Sequence, residues 1–259
     1  MSILVAAFYR FVPLSDPAAL QVPLRDLCEA NDVLGTVLLA TEGINGTIAG
    51  RPEDIEAVFG WLRATPGLEN LQYQPSFAQF RPFDRMKVRL KAEIVALKTD
   101  ADPLAVVGEY VEPEDWNALI TRPDVVVVDT RNTHEVAMGT FVGAVDPKTA
   151  TFGEFPEFVD QQLDPDQPIA MFCTGGIRCE KATSYLRAKG FSRVYHLKGG
   201  ILSYLARVPE SDSQWQGDCF IFDQRQALDH QLQPRFADAE EARAHLSEGW
   251  APRVPQAAD

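Results

Sequence analysis

Cysteine is scarce in this chain: four in 259 residues (Cys28, Cys173, Cys179, Cys219). That is no disulfide framework, so a conspicuous cysteine is either reactive or simply buried. No apolar run approaches the roughly 20 residues that cross a bilayer, and Ile3 to Tyr9 lacks a basic segment before it. A membrane role is excluded, and a reducing, cytoplasmic setting is expected. Positive charge is also short: 24 Lys and Arg against 37 Asp and Glu leave a formal net charge of −13. Nonspecific binding to nucleic acid is therefore not the main activity, because phosphates would be repelled at long range. The four histidines (His134, His196, His230, His245) show no metal-ligand spacing, so no metal is expected. Nor does a Gly-x-Gly-x-x-Gly follow a strand, which argues against a nicotinamide or flavin Rossmann site.

What the chain does have is ordinary globular material, with 46% apolar and 24% charged residues over a length that suits two domains. In residues 1–100, Ile3 to Val12 reads as a strand. Ala18 to Ala30 reads as a helix that Pro23 allows only in pieces or with a late start. Val33 to Thr41 is a second strand, and Glu42-Gly43-Ile44-Asn45-Gly46 reads as a tight loop before a short strand, Thr47 to Ala49. Pro52 opens a helix in which Ile55, Val58, Phe59 and Leu62 share a face, and Pro66-Gly67 stops it. Strands near Leu71 to Phe77 and Met86 to Leu97 complete a β, α, β, β, α, β order, that of a ferredoxin-like α+β sandwich with two helices on one face of an antiparallel sheet.

Residues 77–98 hold six basic side chains against two acidic ones, so the rest of the chain carries −17. Lys87, Arg89 and Lys91 alternate with Val88 and Leu90, which puts three cations on one face of a strand. With Arg81 and Arg85 they are candidate RNA contacts, together with the 42–46 loop; a solvated sheet face explains them equally.

After the polar break Thr99 to Pro103, residues 105–208 read as an α/β domain with a parallel sheet. Glu112-Pro113-Glu114-Asp115-Trp116 starts a helix with acids at its positive end. Val125 to Val128 suits a strand buried on both faces, and Pro168 to Phe172 and Arg193 to Leu197 suit two more. Residues 209–259 read as an acidic tail with one surface helix, Ala237 to Leu246, and frayed last residues.

The strand Ile169 to Phe172 runs into Cys173-Thr174-Gly175-Gly176-Ile177-Arg178, after which the chain turns helical. A strand's carboxyl end meeting a helix's amino end is where α/β sheets bind ligands. Small residues let N–H groups converge, and the helix end adds positive potential, about 0.3–1 kcal/mol when exposed and up to about 2 when partly buried. Both favour a thiolate at Cys173, with Arg178 adding to them. The alternative is a buried cysteine followed by a turn. Protein-phosphatase loops place one more residue between cysteine and arginine than the four found here, so this smaller ring suits a terminal sulfur better than a phosphate.

Cys173 to Arg178 resembles the active-site loop of rhodanese-like sulfurtransferases, and Asp129-Thr130-Arg131-Asn132-Thr133-His134-Glu135 resembles their Asp-x-Arg-x-x-x-Glu signature. Gly143-Ala144 and Leu197-Lys198-Gly199-Gly200 match two further landmarks. With LLATEGINGTIAG, FDRMKVRLKAEIV and Trp215-Gln216-Gly217-Asp218-Cys219-Phe220, residues 1–223 resemble the bacterial tRNA uridine hydroxylase family. The resemblance implies a ferredoxin-like domain joined to a rhodanese-like one, and 5-hydroxylation of uridine at wobble position 34. It implies molecular oxygen as co-substrate, tRNA as partner and Cys173 as the catalytic residue. No other cofactor is identified and no stable protein partner is evident. Asp129, Arg131 and Glu135 are expected as an ion-pair network that shapes the loop, and Cys179 as either a resolving thiol or a buried side chain. Longer relatives continue into a cysteine-rich region, whereas this chain has no cysteine after Cys219, so any role of that region is expected to be absent or supplied otherwise. Two alternatives stay open: a sulfurtransferase that forms a Cys173 persulfide, and a non-catalytic module that holds an anion.

Overall fold

A computed structural model describes residues 3–247 and divides into two units. The first comprises the residues through Ala96, with Asp223–Arg225 and Ala237–Ala239. Its elements are β1 (Ile3–Phe11), α1 (Pro17–Ala30), β2 (Leu34–Ala40), β3 (Gly43–Gly50), α2 (Pro52–Arg63), β4 (Gln74–Ala78) and β5 (Met86–Leu90). The strand order β4-β1-β3-β2 is antiparallel throughout, the ferredoxin-like arrangement expected. The expected all-antiparallel sheet needs one correction, because β5 joins the free edge of β2 in parallel. Leu24 and Cys28 of α1 and Ile55, Val58, Phe59 and Leu62 of α2 pack with Val37, Leu39, Ile44 and Ile48 in one core.

Helix α1 is continuous through Pro23, contrary to expectation. Asp16 caps it by accepting from the Ala19 N–H, and Pro17 supplies a preset first turn. Pro23 lies on the exposed side, where water can satisfy the carbonyl it leaves unpaired, while Leu24 and Cys28 anchor the buried side.

The segment Glu42 to Gly46 is not a loop. The turn is Thr41-Glu42, and Gly43 already pairs with both Ala40 and Phe11. Gly43, at φ +145°, has no room for a side chain, since a Cβ would press into the Arg10 carbonyl oxygen. The polar residues of this segment act as a clamp. Glu42 Oε1 accepts from the Ile94 N–H at 2.6 Å, and Asn45 Nδ2 donates to the Ile94 carbonyl at 2.9 Å. Ile94 is buried and lies beyond β5, which ends at Leu90 rather than Leu97. Later in the chain, buried Arg225 pairs with Asp223 at 2.6 Å and donates to Ser76 Oγ at 2.9 Å.

The second unit holds Leu97–Phe222, Gln226–Phe236 and Glu240 onward. Its elements are β6 (Glu109–Val111), α3 (Pro113–Ile120), β7 (Val126–Asp129), α4 (Thr133–Val136), β8 (Gly139–Phe141), α5 (Phe155–Gln162), β9 (Ile169–Phe172), α6 (Ile177–Ala188), β10 (Val194–Leu197) and α7 (Gly200–Arg207). The strands β11 (Trp215–Gly217), β12 (Cys219–Phe220) and β13 (Ala227–Leu228) follow, and helix α8 (Ala239–Ser247) replaces the expected Ala237 to Leu246. The last residues lie outside those described. The sheet β6-β10-β9-β7 is all parallel, so every strand delivers its carboxyl end to the same side. Residues beyond 208 are not merely a surface tail: β11 pairs with β8, and the Trp215 ring stands 5.2 Å from that of Phe141. Phe141 also meets Phe172 at 4.8 Å and Tyr204 at 4.7 Å, all edge to face, in the core. Among the described residues no helix is long and apolar enough to cross a membrane.

Replacing Asn45 with Ala, or Glu42 with Ala, strands one buried backbone group of Ile94. Each is expected to cost about 1–3 kcal/mol. Thermal denaturation of each variant against wild type checks this, and unchanged melting would contradict the clamp.

Candidate active site

Strand β9 ends at Phe172, and Cys173 begins the loop that closes at Gly176, the residue before α6. Gly176 has φ 103°, a left-handed conformation that turns its N–H back onto the cysteine. That N–H donates to Cys173 Sγ at 3.1 Å. Hydrogen bonding from Cys179 and the charge of Arg178 also favour the ionised form of this sulfur. Burial opposes ionisation of Cys173, which is 0% exposed, but these donors and the guanidinium outweigh it and bring its pKa down. Cys179 moves the opposite way: burial, the hydrogen bond it donates and the Cys173 charge all hold its proton on. The hydroxyl of Thr130 lies 3.5 Å from Cys179 Sγ.

Arg178 is fixed by a two-pronged pair with Glu135, at 2.7 and 2.8 Å, and reaches Thr174 Oγ1 at 3.4 Å. Burial would raise the Glu135 pKa, yet Arg178 foremost, with Arg131, holds it below the usual carboxylate range. Arg131 forks onto Asp129 at 2.6 and 2.9 Å and donates to the carbonyls of Gly139 at 2.5 Å and Glu135 at 3.4 Å. Asp129 also accepts from Thr140 Oγ1 at 2.9 Å. All four charged groups are buried. Asp129, Arg131 and Glu135 thus join the loop through Arg178, and only Arg178 stands beside the sulfur.

The Gly199-Gly200 pair sits under the loop. Helix α7 begins there, and the N–H groups of Ile201 and Leu202 donate to the carbonyls of Cys173 and Thr174 at 2.9 and 3.1 Å. Gly200 has φ 65°, and a Cβ there would press into the Cys173 carbonyl and come within 2.6 Å of that of Thr174. At Gly175 there is open space, an added Cβ meeting nothing within 4 Å. Ile177 is half-buried in the first turn of α6. No group of three or more His, Cys, Asp or Glu that could hold a metal occurs among the described residues. Burial pushes buried His196 down to about 4.

Sequence reasoning did not single out Phe222. Its ring is 67% exposed, stands 5.9 Å from the Arg178 guanidinium and meets Phe220 edge-on at 5.0 Å. An aromatic close after the Trp215 to Phe220 stretch was the available signal. In the first unit, Arg85, Arg89 and Lys91 are exposed and Lys87 is half-buried, and these four carry no ion pair among the described residues. Lys87 and Arg89 alternate with Met86 and Val88, whose side chains join the core; Arg81 pairs with Asp32.

Two family models match the chain: the UPF0176 acylphosphatase like domain over residues 3–94 and the Rhodanese-like domain over residues 112–207. Similar curated proteins carry one name, tRNA uridine(34) hydroxylase. That of Nitrobacter hamburgensis is 58% identical over 235 residues, covering 88% of this chain and 92% of its own. That of Acaryochloris marina is 56% identical over 234 residues, covering 89% and 76%. That of Gluconobacter oxydans is 56% identical over 236 residues, covering 88% and 75%.

A depressed thiol pKa makes the thiolate a stabilising group above the unfolded cysteine range, and that contribution is lost as pH falls through the folded value. The stability gap between wild type and Cys173→Ala is therefore expected to widen as pH rises from about 6 to about 9 and to stay flat below that window. Thiolate ultraviolet absorbance should titrate with a midpoint of about 6, and Cys179→Ala should move the midpoint upward by removing a donor. Glu135→Ala leaves Arg178 buried without its partner and is expected to cost about 3–5 kcal/mol by denaturant unfolding.

Proposed function

The chain belongs to the tRNA uridine(34) hydroxylase family, and from that premise we propose that it hydroxylates C5 of uridine 34 through the Cys173 thiolate, with molecular oxygen as co-substrate. The observation that carries the reading is the convergence of the Gly176 N–H, the Cys179 donors and the Arg178 charge on one sulfur at a strand's carboxyl end. Uracil suits such a nucleophile. A thiolate that adds to C6 of the ring sends the electron pair toward C5 and O4, which makes C5 electron-rich and open to oxygen. The open side of the loop, at Gly175, is where the base would approach. The exposed Phe222 ring, 5.9 Å from the Arg178 guanidinium, offers a face on which a nucleobase stacks. Arg85, Lys87, Arg89 and Lys91 supply unpaired positive charge for tRNA phosphates, with Arg81 nearby. The enzyme acts in the cytoplasm, where its substrate is.

A second reading follows from the match to rhodanese-like domains over residues 112–207: the same cradle would hold the terminal sulfur of a Cys173 persulfide. The two separate cleanly. In cells lacking the protein, wild type is expected to restore 5-hydroxyuridine in tRNA nucleosides by mass spectrometry, while Cys173→Ala restores none. Failure of wild type to restore it, with sulfite released from thiosulfate and cyanide by the purified protein, would move the reading to sulfur transfer. Full activity in Cys173→Ser would reduce the loop to an anion-binding module. The triple variant Lys87→Glu, Arg89→Glu, Lys91→Glu is expected to weaken tRNA binding and to lower its salt slope by about 1 for each phosphate no longer neutralised.

A further inference from the structure

An aromatic side chain in water is ordinary when it stands alone and informative when neighbours hold it there. Phe222 is of the second kind. Its ring is 67% exposed, more than any other large apolar side chain among the described residues. The Phe220 ring meets it at 5.0 Å and 86°, and the Arg178 guanidinium lies over it at 5.9 Å. Both neighbours are themselves fixed. Phe220 packs against Met138, Ala227, Phe236 and Ala242, and Arg178 is forked onto Glu135 at 2.7 and 2.8 Å.

Phe220 also holds a second exposed ring, that of His134, at 5.1 Å and 88°. The result is a row, His134–Phe220–Phe222, with a half-buried ring in the middle and an exposed ring at either end, each nearly perpendicular to it. Both ends of the row are tied to the ion pair that fixes the Cys173 loop. His134 precedes Glu135 in α4, and Phe222 lies against Arg178, which reaches Thr174 Oγ1 at 3.4 Å. A flat ligand stacked on Phe222 is thereby placed next to the guanidinium that closes the loop. Aromatic faces beside a guanidinium are the surfaces on which splayed-out RNA bases stack. A ring already held in place costs little further ordering when a base covers it. Bases inside a duplex are stacked on one another and offer no free face, so the row is open only to unpaired ones.

Resting on the hydroxylase reading above, we propose that Phe222 stacks on the base of uridine 34 and sets its position, while His134 stacks on an adjacent base of the anticodon loop, 33 or 35. Phe220 is the spacer that holds the two apart. The row makes the enzyme specific for bases splayed out of an unpaired loop, and it acts in binding, ahead of any chemistry at Cys173. The Phe222 ring carries no proton or electron.

The test is a binding cycle on two forms of one tRNA, one with uridine 34 and one abasic at that position, each titrated with wild type and with Phe222→Ala. The four constants isolate the contact between ring and base. Phe222→Ala is expected to weaken binding of the uridine form roughly 5- to 150-fold, the range of one base–aromatic stack, and to leave binding of the abasic form unchanged. Phe222→Trp keeps a stacking face and is expected to bind the uridine form as wild type does. His134→Ala is expected to show the same coupling with tRNA abasic at 33 or at 35. A ring that only supported the fold would weaken both forms alike, and the melting of each variant is checked against wild type. Equal effects of Phe222→Ala on the two forms, no effect on either, or binding of neither form by wild type overturns the proposal. Coupling of His134 to neither neighbouring base overturns the two-base row. Turnover is read separately by mass spectrometry of nucleosides. If wild type forms 5-hydroxyuridine while the cycle shows no coupling, the row is overturned and the hydroxylase reading stands. If the coupling is present but no 5-hydroxyuridine forms even with oxygen and dithiothreitol, the hydroxylase reading falls and the row stands as an RNA site.

Discussion

The buried chain of charges Asp129–Arg131–Glu135–Arg178 is the constraint on which the second unit depends. Two carboxylates and two guanidiniums sum to zero, and each is costly to bury alone, so none can move without stranding another. Asp129 comes from the end of β7, Glu135 from α4 and Arg178 from α6, so the chain of ions ties three elements to one another. Its far end is locked by Arg131 on the Gly139 carbonyl and under the Trp215 ring at 5.2 Å. Its near end leaves a guanidinium beside a sulfur. The rigidity serves the sulfur, since a thiolate is stabilised only by donors that are in place before it ionises.

Within that frame the loop is held from below as firmly as from the side. The first turn of α7 donates two N–H groups to the carbonyls of Cys173 and Thr174, and so fixes the backbone from which the sulfur hangs. Helix α6 starts at the loop's other end, and the Gly176 N–H just before it donates to the Cys173 sulfur. The sulfur therefore hangs from a backbone that α7 fixes, and its charge is answered by the Gly176 N–H and the Arg178 cation rather than by water.

Much of this was legible in the sequence where the physics is local. The glycines and arginine after Cys173 declare a turn into a helix, the valine run declares a buried parallel strand, and the spacing of Ile55, Val58, Phe59 and Leu62 declares α2. What was not legible depends on partners far along the chain. Pro23 reads as a breaker until its exposure in a well-anchored helix is seen. Glu42 to Gly46 reads as a turn because Gly and Asn favour turns, yet its polar side chains hold Ile94, nearly 50 residues on. Strands as short as Gly139–Phe141 and Trp215–Gly217 carry too few alternating residues to announce themselves. The influence of Cys179 on the Cys173 thiol hides in the same way, for six positions along a chain say nothing of proximity until the loop's curvature is known.

The crowding at Gly200 bears on how such a site could be moved or made anew. Because the carbonyls of Cys173 and Thr174 lie where a side chain at position 200 would stand, the six-residue loop is only half of an object whose other half arrives more than 20 residues later. Grafting Cys173 to Arg178 onto a foreign strand–helix junction would import the residues without their floor, and the sulfur would swing as an ordinary thiol. The transferable part is the pair of segments together. A designer, or a duplicating gene, would have to carry both and keep the helix between them at its present length.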